Sequence, residues 1–392
     1  MQPLTQRIAP ADQPLNTRAG WLAHLHDSLP ALLAGLIAWI AFLVVGDTPL
    51  IRASGLALII VGLSMALRAM GAALAIIGGL ALAFSPAFWT QTGGAESLQL
   101  GTLVAALIGA GALTGALIWF GRRPVLGAAL GLAIFAVLFL LVVGTPRSLR
   151  MTTLTTAWLL FLLIDILLAS NPRPHQPRSD LRPWQIVGLL LLLAIGTLNE
   201  PLFALLLPAV VLGLALAKAR CPLWYWIAIG IIAGVGSAGI LSNYVSPVWW
   251  GVDPAAVPDG HVPFIVAGAW RDPLRWLALF DLIVRQFTGL GLALGVLGLA
   301  RLARWHPPIG VVTLTAYGAY ASFGLVYFGE DSAVLLLPLL MIQVLWMTYA
   351  VYAFGQWLQN SAKPAPRVVR WAAPALFTLL PLIMLLRIVG VG

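Results

Sequence analysis

Long apolar runs separated by short polar connections make up most of this chain of 392 residues. A helix that crosses the hydrocarbon core of a bilayer needs about 20 mostly apolar residues, with some tolerance for tilt. Thirteen runs approach that length, at residues 30–46, 50–67, 70–88, 98–119, 126–144, 153–169, 184–198, 201–217, 223–243, 276–300, 308–328, 333–356 and 371–390. The pattern predicts an all-α fold, a polytopic transmembrane helical bundle with about 11–13 spans.

Two of these runs, 184–198 and 201–217, are short and meet at Asn199-Glu200-Pro201. A proline after two polar residues interrupts a helix. The pair therefore has two interpretations, two separate spans or a broken, re-entrant hairpin. The second requires protein or a water-filled cavity around the break, because lipid offers backbone groups no hydrogen bonds.

Composition excludes a soluble domain, since 61% of the residues are hydrophobic and 9% are charged, against about a quarter charged in soluble proteins. The net charge of +9 comes mainly from arginines in short connections. That distribution is typical of membrane topology, and we expect no nucleic-acid partner. The single cysteine, Cys221, excludes an internal disulfide and a cysteine-based metal site.

The lysines and arginines also predict an orientation. With the N-terminus cytoplasmic, 15 of the 22 fall on the cytoplasmic side of the predicted spans. Residues 1–29 are then a cytoplasmic tail, residues 30–392 a single transmembrane helical domain, and residues 244–275 an extracytoplasmic loop. The bilayer is the expected surrounding of the whole domain.

The first candidate for chemistry on the predicted outer side is 84-FSPAFWTQTGGAES-97. It leaves Trp89, Gln91 and Glu96 near the membrane interface. One interpretation is an aromatic anchor and an acid at a helix N-terminus. The other is the polar wall of a ligand cleft.

The second candidate is the pair Asp281 and Arg285, which we place one to three turns inside the run 276–300. Residues four apart share a helix face and can form an ion pair. Charges at that depth are costly and indicate function, although a structural ion pair between helices is the alternative. A guanidinium also binds phosphate oxygens in a bidentate manner, so Arg285 suits a lipid phosphate.

Two further outer segments carry polar and aromatic residues. In 327-YFGEDSAVLLLP-338, Tyr327 and Asp331 come just before an apolar run. In the loop 244–275 the tryptophans offer flat faces for sugar rings, and the acids and the histidine offer hydrogen bonds to hydroxyls; the residues are Trp250, Asp253, His261 and Trp270. Interfacial anchoring is the alternative for the tryptophans.

Taken in order, four segments resemble one family, the bacterial membrane proteins similar to protein O-mannosyltransferases. FSPAFWTQTGGAE resembles its Ser-Pro-x-Phe-Trp-x-Gln…Glu element, and PVWWGVDPAAVPDGHVPFIVAGAWRDPL resembles its Trp-Gly-(x)-Asp-Pro loop. RQFTGLGLALGVLGLARL is similar to its Gln-Phe-Thr span, and YFGEDSAVLLLP to its Tyr-x-x-x-Asp-Ser…Leu-Pro element. The resemblance covers roughly residues 75–345. It implies a GT-C-type fold in a bacterial plasma membrane, the inner membrane where there are two.

The resemblance also implies an activity, the inverting transfer of a mannose-type sugar from a polyprenyl phosphate to an acceptor such as a protein. Asp47 would be the general base with Glu96 assisting, and Arg285 or Arg271 would hold the phosphate. A donor-and-acceptor platform would include Trp89, Gln91, Trp250, Asp253, His261, Trp270, Asp281, Tyr327 and Asp331. The lipid-linked sugar is a substrate, and the resemblance implies neither a cofactor nor a metal.

The chain departs from that family in its first outer loop, which in the family is long and carries Asp-Ser-Gly-Glu and His-Pro-Pro-Gly elements. Here the connection is only 46-GDTPL-50. Either Asp47 serves a minimal site or catalysis has been lost. The alternative functions are therefore a non-enzymatic subunit that binds a glycolipid or a protein partner and, less favoured, a transporter of lipid-linked glycans.

Overall fold

The structure is a computed structural model that describes residues 18–93, 149–170, 183–219, 221–245, 265–266, 268–329, 332–361 and 369–390. Numbered over these residues, the α-helices are α1 Arg18–Val44, α2 Leu50–Leu67, α3 Ala72–Ala83, α4 Pro86–Trp89, α5 Leu149–Ser170, α6 Pro183–Asn199, α7 Leu207–Leu216, α8 Leu223–Ile240, α9 Pro273–Trp305, α10 Pro307–Val326, α11 Ser332–Leu335, α12 Leu337–Ser361 and α13 Val369–Val389. Within the described ranges the fold is all-α, which confirms the predicted class.

Eight helices in the described part of the chain are long and apolar enough to cross a membrane. Three shorter apolar segments accompany them, at 72–83, 185–199 and 201–216. The protein is therefore an integral membrane protein with a polytopic helical bundle. Two predicted spans, 98–119 and 126–144, lie outside the described residues. The bounds of α2 match the predicted run 50–67, whereas α1 begins at Arg18, well before residue 30.

Two helices form the centre of the bundle. In α5 and α12, 83% of the apolar window is buried inside the protein, whereas α8 and α13 bury 17% and 28% and face outward. Apolar side chains on such outer helices are favourable in lipid, because the lipid tails are themselves apolar. Two ends can then be defined by their residues: the Asp47 end, where α1 ends and α2 begins, and the Arg68 end, where α2 ends.

At the Arg68 end, a charged contact joins two helices. Arg68 pairs with Asp165 of α5, and Gln185 of α6 donates a hydrogen bond of 2.9 Å to the other carboxylate oxygen. A carboxylate inside a span is costly unless it is paired. Asp165 thus connects α5 to the end of α2 and to α6.

The break at Asn199-Glu200-Pro201 lies at the Asp47 end and is enclosed by protein. α6 ends at Asn199, Glu200 is extended (φ −145°, ψ 111°), and a 3₁₀ helix, Pro201–Leu206, leads into α7. Glu200 itself is fully buried. The structure thus shows two short helices joined by a sharp break, with the protein surroundings that such a break needs.

α9 is interrupted at Thr288, whose φ of 64° and ψ of 172° are not helical. Its last part packs on the central helix α12, because Gly291, Gly295 and Gly298 are buried there. A Cβ on Gly298 would lie 1.8 Å from the backbone oxygen of Trp346, so the two backbones touch. Small residues that allow this approach are typical of helix pairs in membranes.

The first part of α9, residues 273–287, does not run down the bundle. Arg275 bonds the last carbonyls of α10, and Ala303 contacts Gly310 near the start of α10. Between these two levels α9 advances by 28 residue steps, from Arg275 to Ala303, and α10 by only 15, from Gly310 to Leu325. At 1.5 Å per residue these lengths are about 42 and 22 Å. The additional length of α9 must therefore run across the bundle and not along it.

The contacts of residues 273–287 show where this additional length of α9 lies. Leu279 packs beside Gly324 together with Leu336, and Gln286 accepts a hydrogen bond of 2.7 Å from the backbone N–H of Ala87. These partners all stand at the Asp47 end, in α10, before α12 and in α4. Residues 273–287, called the transverse half of α9 below, cross that end from α10 towards α4.

Candidate functional site

Asp47 lies in the turn between α1 and α2, in a left-handed backbone conformation with φ of 42°, and it is exposed. Aspartate tolerates this conformation better than most residues. The turn is fixed beneath it: the buried Thr48 hydroxyl accepts a hydrogen bond of 2.9 Å from the N–H of Gly93. The guanidinium of Arg52 also donates to the carbonyl of Gly93. The backbone of the Asp47 turn is thus held in place beside the end of the 86–93 segment.

The 86–93 segment begins with Pro86 at the first position of α4, where a proline costs no hydrogen bond. Trp89 is half-buried, with its ring 5.7 Å from that of Phe42 and 6.1 Å from that of Phe84. Gln91 is buried at 5% exposure. Trp89 and Gln91, both predicted site residues, therefore lie in the 86–93 segment beside the Asp47 turn. Little of the Gln91 side chain is accessible to a ligand. Glu96 lies outside the described residues.

Gln286 connects the 86–93 segment to α9. Its side-chain oxygen accepts from the N–H of Ala87 in the first turn of α4, where backbone N–H groups lack a partner within the helix. From Ala87 to Gly93 the chain is helical or turned, a rise of about 9 Å. Asp47 and Gln286 therefore lie at opposite ends of one short segment.

Asp281 and Arg285 form the predicted ion pair, with 2.6 Å between Arg285 Nε and an Asp281 carboxylate oxygen. Both lie on the transverse half, before the interruption at Thr288, with side chains 53% and 74% exposed. Their depth in a bilayer stays a prediction. An exposed pair contributes about 1 kcal/mol or less to stability, and the guanidinium keeps further N–H donors for a ligand.

Trp270 and Arg271 precede the transverse half and are both exposed. The Arg271 guanidinium lies 5.2 Å from the centre of the Trp270 ring, a cation–π contact. Trp276 donates its indole N–H to the backbone oxygen of Trp270 at 2.8 Å. The two residues thus form an amphipathic group beside the start of α9.

Tyr327 occupies a different position from the other candidates. Its side chain is 1% exposed, and its ring packs on those of Phe323 and Tyr244 at 4.8 and 5.9 Å. Arg275 covers this region, bonding the carbonyls of Gly324, Leu325 and Tyr327. Such bonds satisfy the open end of α10. Tyr327 and Arg275 are therefore part of the packing beneath the surface.

A buried polar cluster was not recognised in the sequence. Tyr244 donates a hydrogen bond of 2.8 Å to the carboxylate of Glu200, which also accepts from the N–H of Leu202 at 3.3 Å. Asn199 donates to the hydroxyl of Thr152 at 2.9 Å. A cavity of about 10 Å³ borders Glu200 and Thr152, a size that holds one water molecule. The only sequence signal was the Asn-Glu-Pro interruption.

The remaining predicted residues are outside the described part of the chain; they are Glu96, Trp250, Asp253, His261 and Asp331. Among the described residues, no group of three His, Cys, Asp or Glu side chains could hold a metal ion. The described candidate residues at the Asp47 end supply the exposed carboxylate of Asp47, the exposed guanidinium of Arg285 and the half-buried indole of Trp89. Chemically, this set can accept a proton and bind an anion.

Comparison with known proteins adds no relative. The chain matches no protein-family model, no curated protein and no solved structure.

Proposed function

We propose that this chain is a membrane glycosyltransferase-like protein that uses a polyprenyl-phosphate-linked sugar of the mannose type at its Asp47 end. The observation that carries the proposal is the placement of Asp47 and Arg285 on either side of the 86–93 segment. The exposed Asp47 carboxylate stands at one end of that segment. Arg285 adjoins Gln286, which is bonded to the other end.

The chemistry of a polyprenyl-phosphate donor fits this arrangement. Its tail stays in the membrane, so its phosphate lies near the level of the headgroups, where the transverse half carries Arg285. A cation there stabilises the phosphate as it leaves. Asp47 would act as the general base on the acceptor hydroxyl, an effect worth about 10²–10⁴-fold in rate. Trp89 and Trp270 offer ring faces to a sugar.

A second candidate function is supported by the short connection between α1 and α2. Only residues 45–49 join the two helices, so this connection itself offers few residues to shape an acceptor site. A non-enzymatic subunit would use the same surface to hold a glycolipid or a protein partner of a membrane complex.

Transport of a lipid-linked glycan is the less favoured function. Towards the middle of the bundle, a cavity of about 10 Å³ lies between α5, α7 and α10. Apart from Thr313 its lining is apolar. A polar solute would find few hydrogen-bond partners on this route.

The experiment that separates these functions combines donor binding with sugar transfer. Purified protein in lipid nanodiscs is incubated with labelled polyprenyl-phosphate mannose and a membrane-protein extract as acceptor. We expect label to move from lipid to protein. Binding of the donor without transfer would favour the subunit, and neither binding nor transfer would contradict both functions.

A further inference from the structure

The transverse half of α9 exposes large apolar side chains at a place where few other parts of the described chain cover it. Leu274, Trp276, Leu277 and Phe280 are between 43% and 69% exposed. Leaving such side chains in water is unfavourable, because apolar surface is driven out of contact with water. A row of four on one helix therefore indicates that something apolar covers it.

The opposite side of this helix is fixed to the protein. Leu279, Ile283, Gln286 and Phe287 are buried, and Arg275 and Gln286 hold its two ends by hydrogen bonds. The exposed row is therefore the outer face of a firmly placed element.

That exposed face has two flanks of different chemistry. Successive residues are about 100° apart around a helix, and residues four apart lie nearly in line. Trp276 and Phe280 form an apolar flank together with the half-buried Val284. Asp281 and Arg285 form a charged flank about a quarter-turn away, joined by their ion pair.

The position of the transverse half relative to the ends of the spanning helices indicates what covers it. It crosses the ends of helices that are apolar enough to span a membrane, so it stands where hydrocarbon gives way to headgroups. Helices with a wide apolar face and a charged face lie in that layer, with the apolar face about 5–10 Å into the headgroup and acyl boundary. Trp270 and Trp276 are also of the type enriched at this interface.

We propose that residues 273–287 form an interfacial helix that binds the lipid surface at the Asp47 end. The apolar flank lies in the acyl boundary, and the charged flank faces the headgroup layer, where Arg285 meets lipid phosphates. This placement does not depend on the proposed sugar transfer. It would hold equally for a non-enzymatic subunit.

Spin labels on single cysteines test the proposal, because the chain has one native cysteine, Cys221, to remove. In a Cys221→Ser background reconstituted in bilayers, labels are attached to Leu277→Cys, Phe280→Cys and Val284→Cys on or near the apolar flank. Collision rates with oxygen and with a water-soluble nickel chelate give the depth of each label. Val296→Cys is the control for a spanning helix. It lies in the part of α9 after Thr288, at a position that is 62% exposed.

We expect the labels at 277, 280 and 284 to lie at one shallow depth, within about 5–10 Å of the surface, and the label at 296 to lie much deeper. A label at Arg285→Cys should collide more with the nickel chelate than one at Phe280→Cys. The proposal is overturned if depth increases steadily from 277 to 284 by about 1.5 Å per residue, as in a straight span. It is equally overturned if the labels at 280 and 285 are both fully accessible to water. Trp276→Cys, on the apolar flank, replaces any labelled variant of that flank that does not fold.

Discussion

Gln286 and Ala87 are 199 residues apart in the chain, yet the side-chain oxygen of Gln286 accepts a hydrogen bond of 2.7 Å from the Ala87 N–H. The contact joins the transverse half of α9 to the 86–93 segment, whose other end lies against the Asp47 turn. Both groups are buried, so water cannot replace the bond. The contact therefore connects the two parts of the candidate site.

Gln286→Met should therefore destabilise the protein by about 1–3 kcal/mol, because it leaves the buried Ala87 N–H without its acceptor. Thermal unfolding or SDS titration of the purified protein measures the change. Arg285→Met is the matched control, because it places the same side chain one residue earlier at a position that is 74% exposed. Equal effects of the two substitutions would show that the bond has no special role.

Glu200 and Tyr244 should be energetically coupled through their buried hydrogen bond of 2.8 Å. Tyr244→Phe removes the donor and leaves a buried carboxyl group with one partner fewer, at a cost of about 1–3 kcal/mol. A double-mutant cycle with Glu200→Met, which removes the acceptor oxygens at similar size, measures the interaction. We expect a coupling free energy of about 0.5–3 kcal/mol; strictly additive effects would contradict the contact.

Gly298→Ala should separate α9 from α12, since its Cβ would meet the Trp346 backbone oxygen at 1.8 Å. Forcing extra volume into such a contact costs about 1–3 kcal/mol. The control is Gly289→Ala, because a Cβ at Gly289 meets open space. The same unfolding assay should show a loss of stability at residue 298 and little change at residue 289.

Cys221 can report the orientation of the protein in the membrane. It lies between α7 and α8 at the Arg68 end, which the sequence predicts to be cytoplasmic. Burial raises the pKa of its thiol. Because the thiolate is the reactive form, the thiol should react slowly at neutral pH and faster as the pH rises.

In intact cells at alkaline pH, a membrane-impermeant maleimide should not label Cys221, whereas permeabilised cells should be labelled. Gly268→Cys in the Cys221→Ser background is the control at the Asp47 end, where the new side chain meets open space. It should be labelled without permeabilisation. The reverse pattern would mean that the predicted orientation is wrong.

Within the described residues the apolar runs predict the long helices, because span length is set by the bilayer. The limits of α2 and the break at Glu200 followed directly from that pattern. The bend in α9 did not, since 287-FTGLGLALG-295 reads as a continuous apolar helix across Thr288. Whether such a helix spans or lies flat is decided by distant partners, here Ala87 and the end of α10.

The same limit applies to the candidate site. Asp281 and Arg285 were paired from their spacing, which is a local property of a helix. Their exposure follows from the tertiary path of α9, and the burial of Glu200 follows from how α5, α8 and α10 surround it. The sequence marks Glu200 only as part of the Asn199-Glu200-Pro201 interruption, because burial by other helices leaves no mark on the residues beside it.

The transfer rate of Asp47→Asn compared with that of Asp272→Asn tests the proposed sugar transfer most directly. Both aspartates are exposed at the same end, and asparagine at residue 272 can still cap α9 by accepting from the N–H of Leu274. With labelled polyprenyl-phosphate mannose in nanodiscs, we expect Asp272→Asn to transfer at the wild-type rate. Asp47→Asn should be slower by about 10²–10⁴-fold, the usual contribution of a general base. Equal transfer by both variants would contradict the role of Asp47 and, with it, the account of the site.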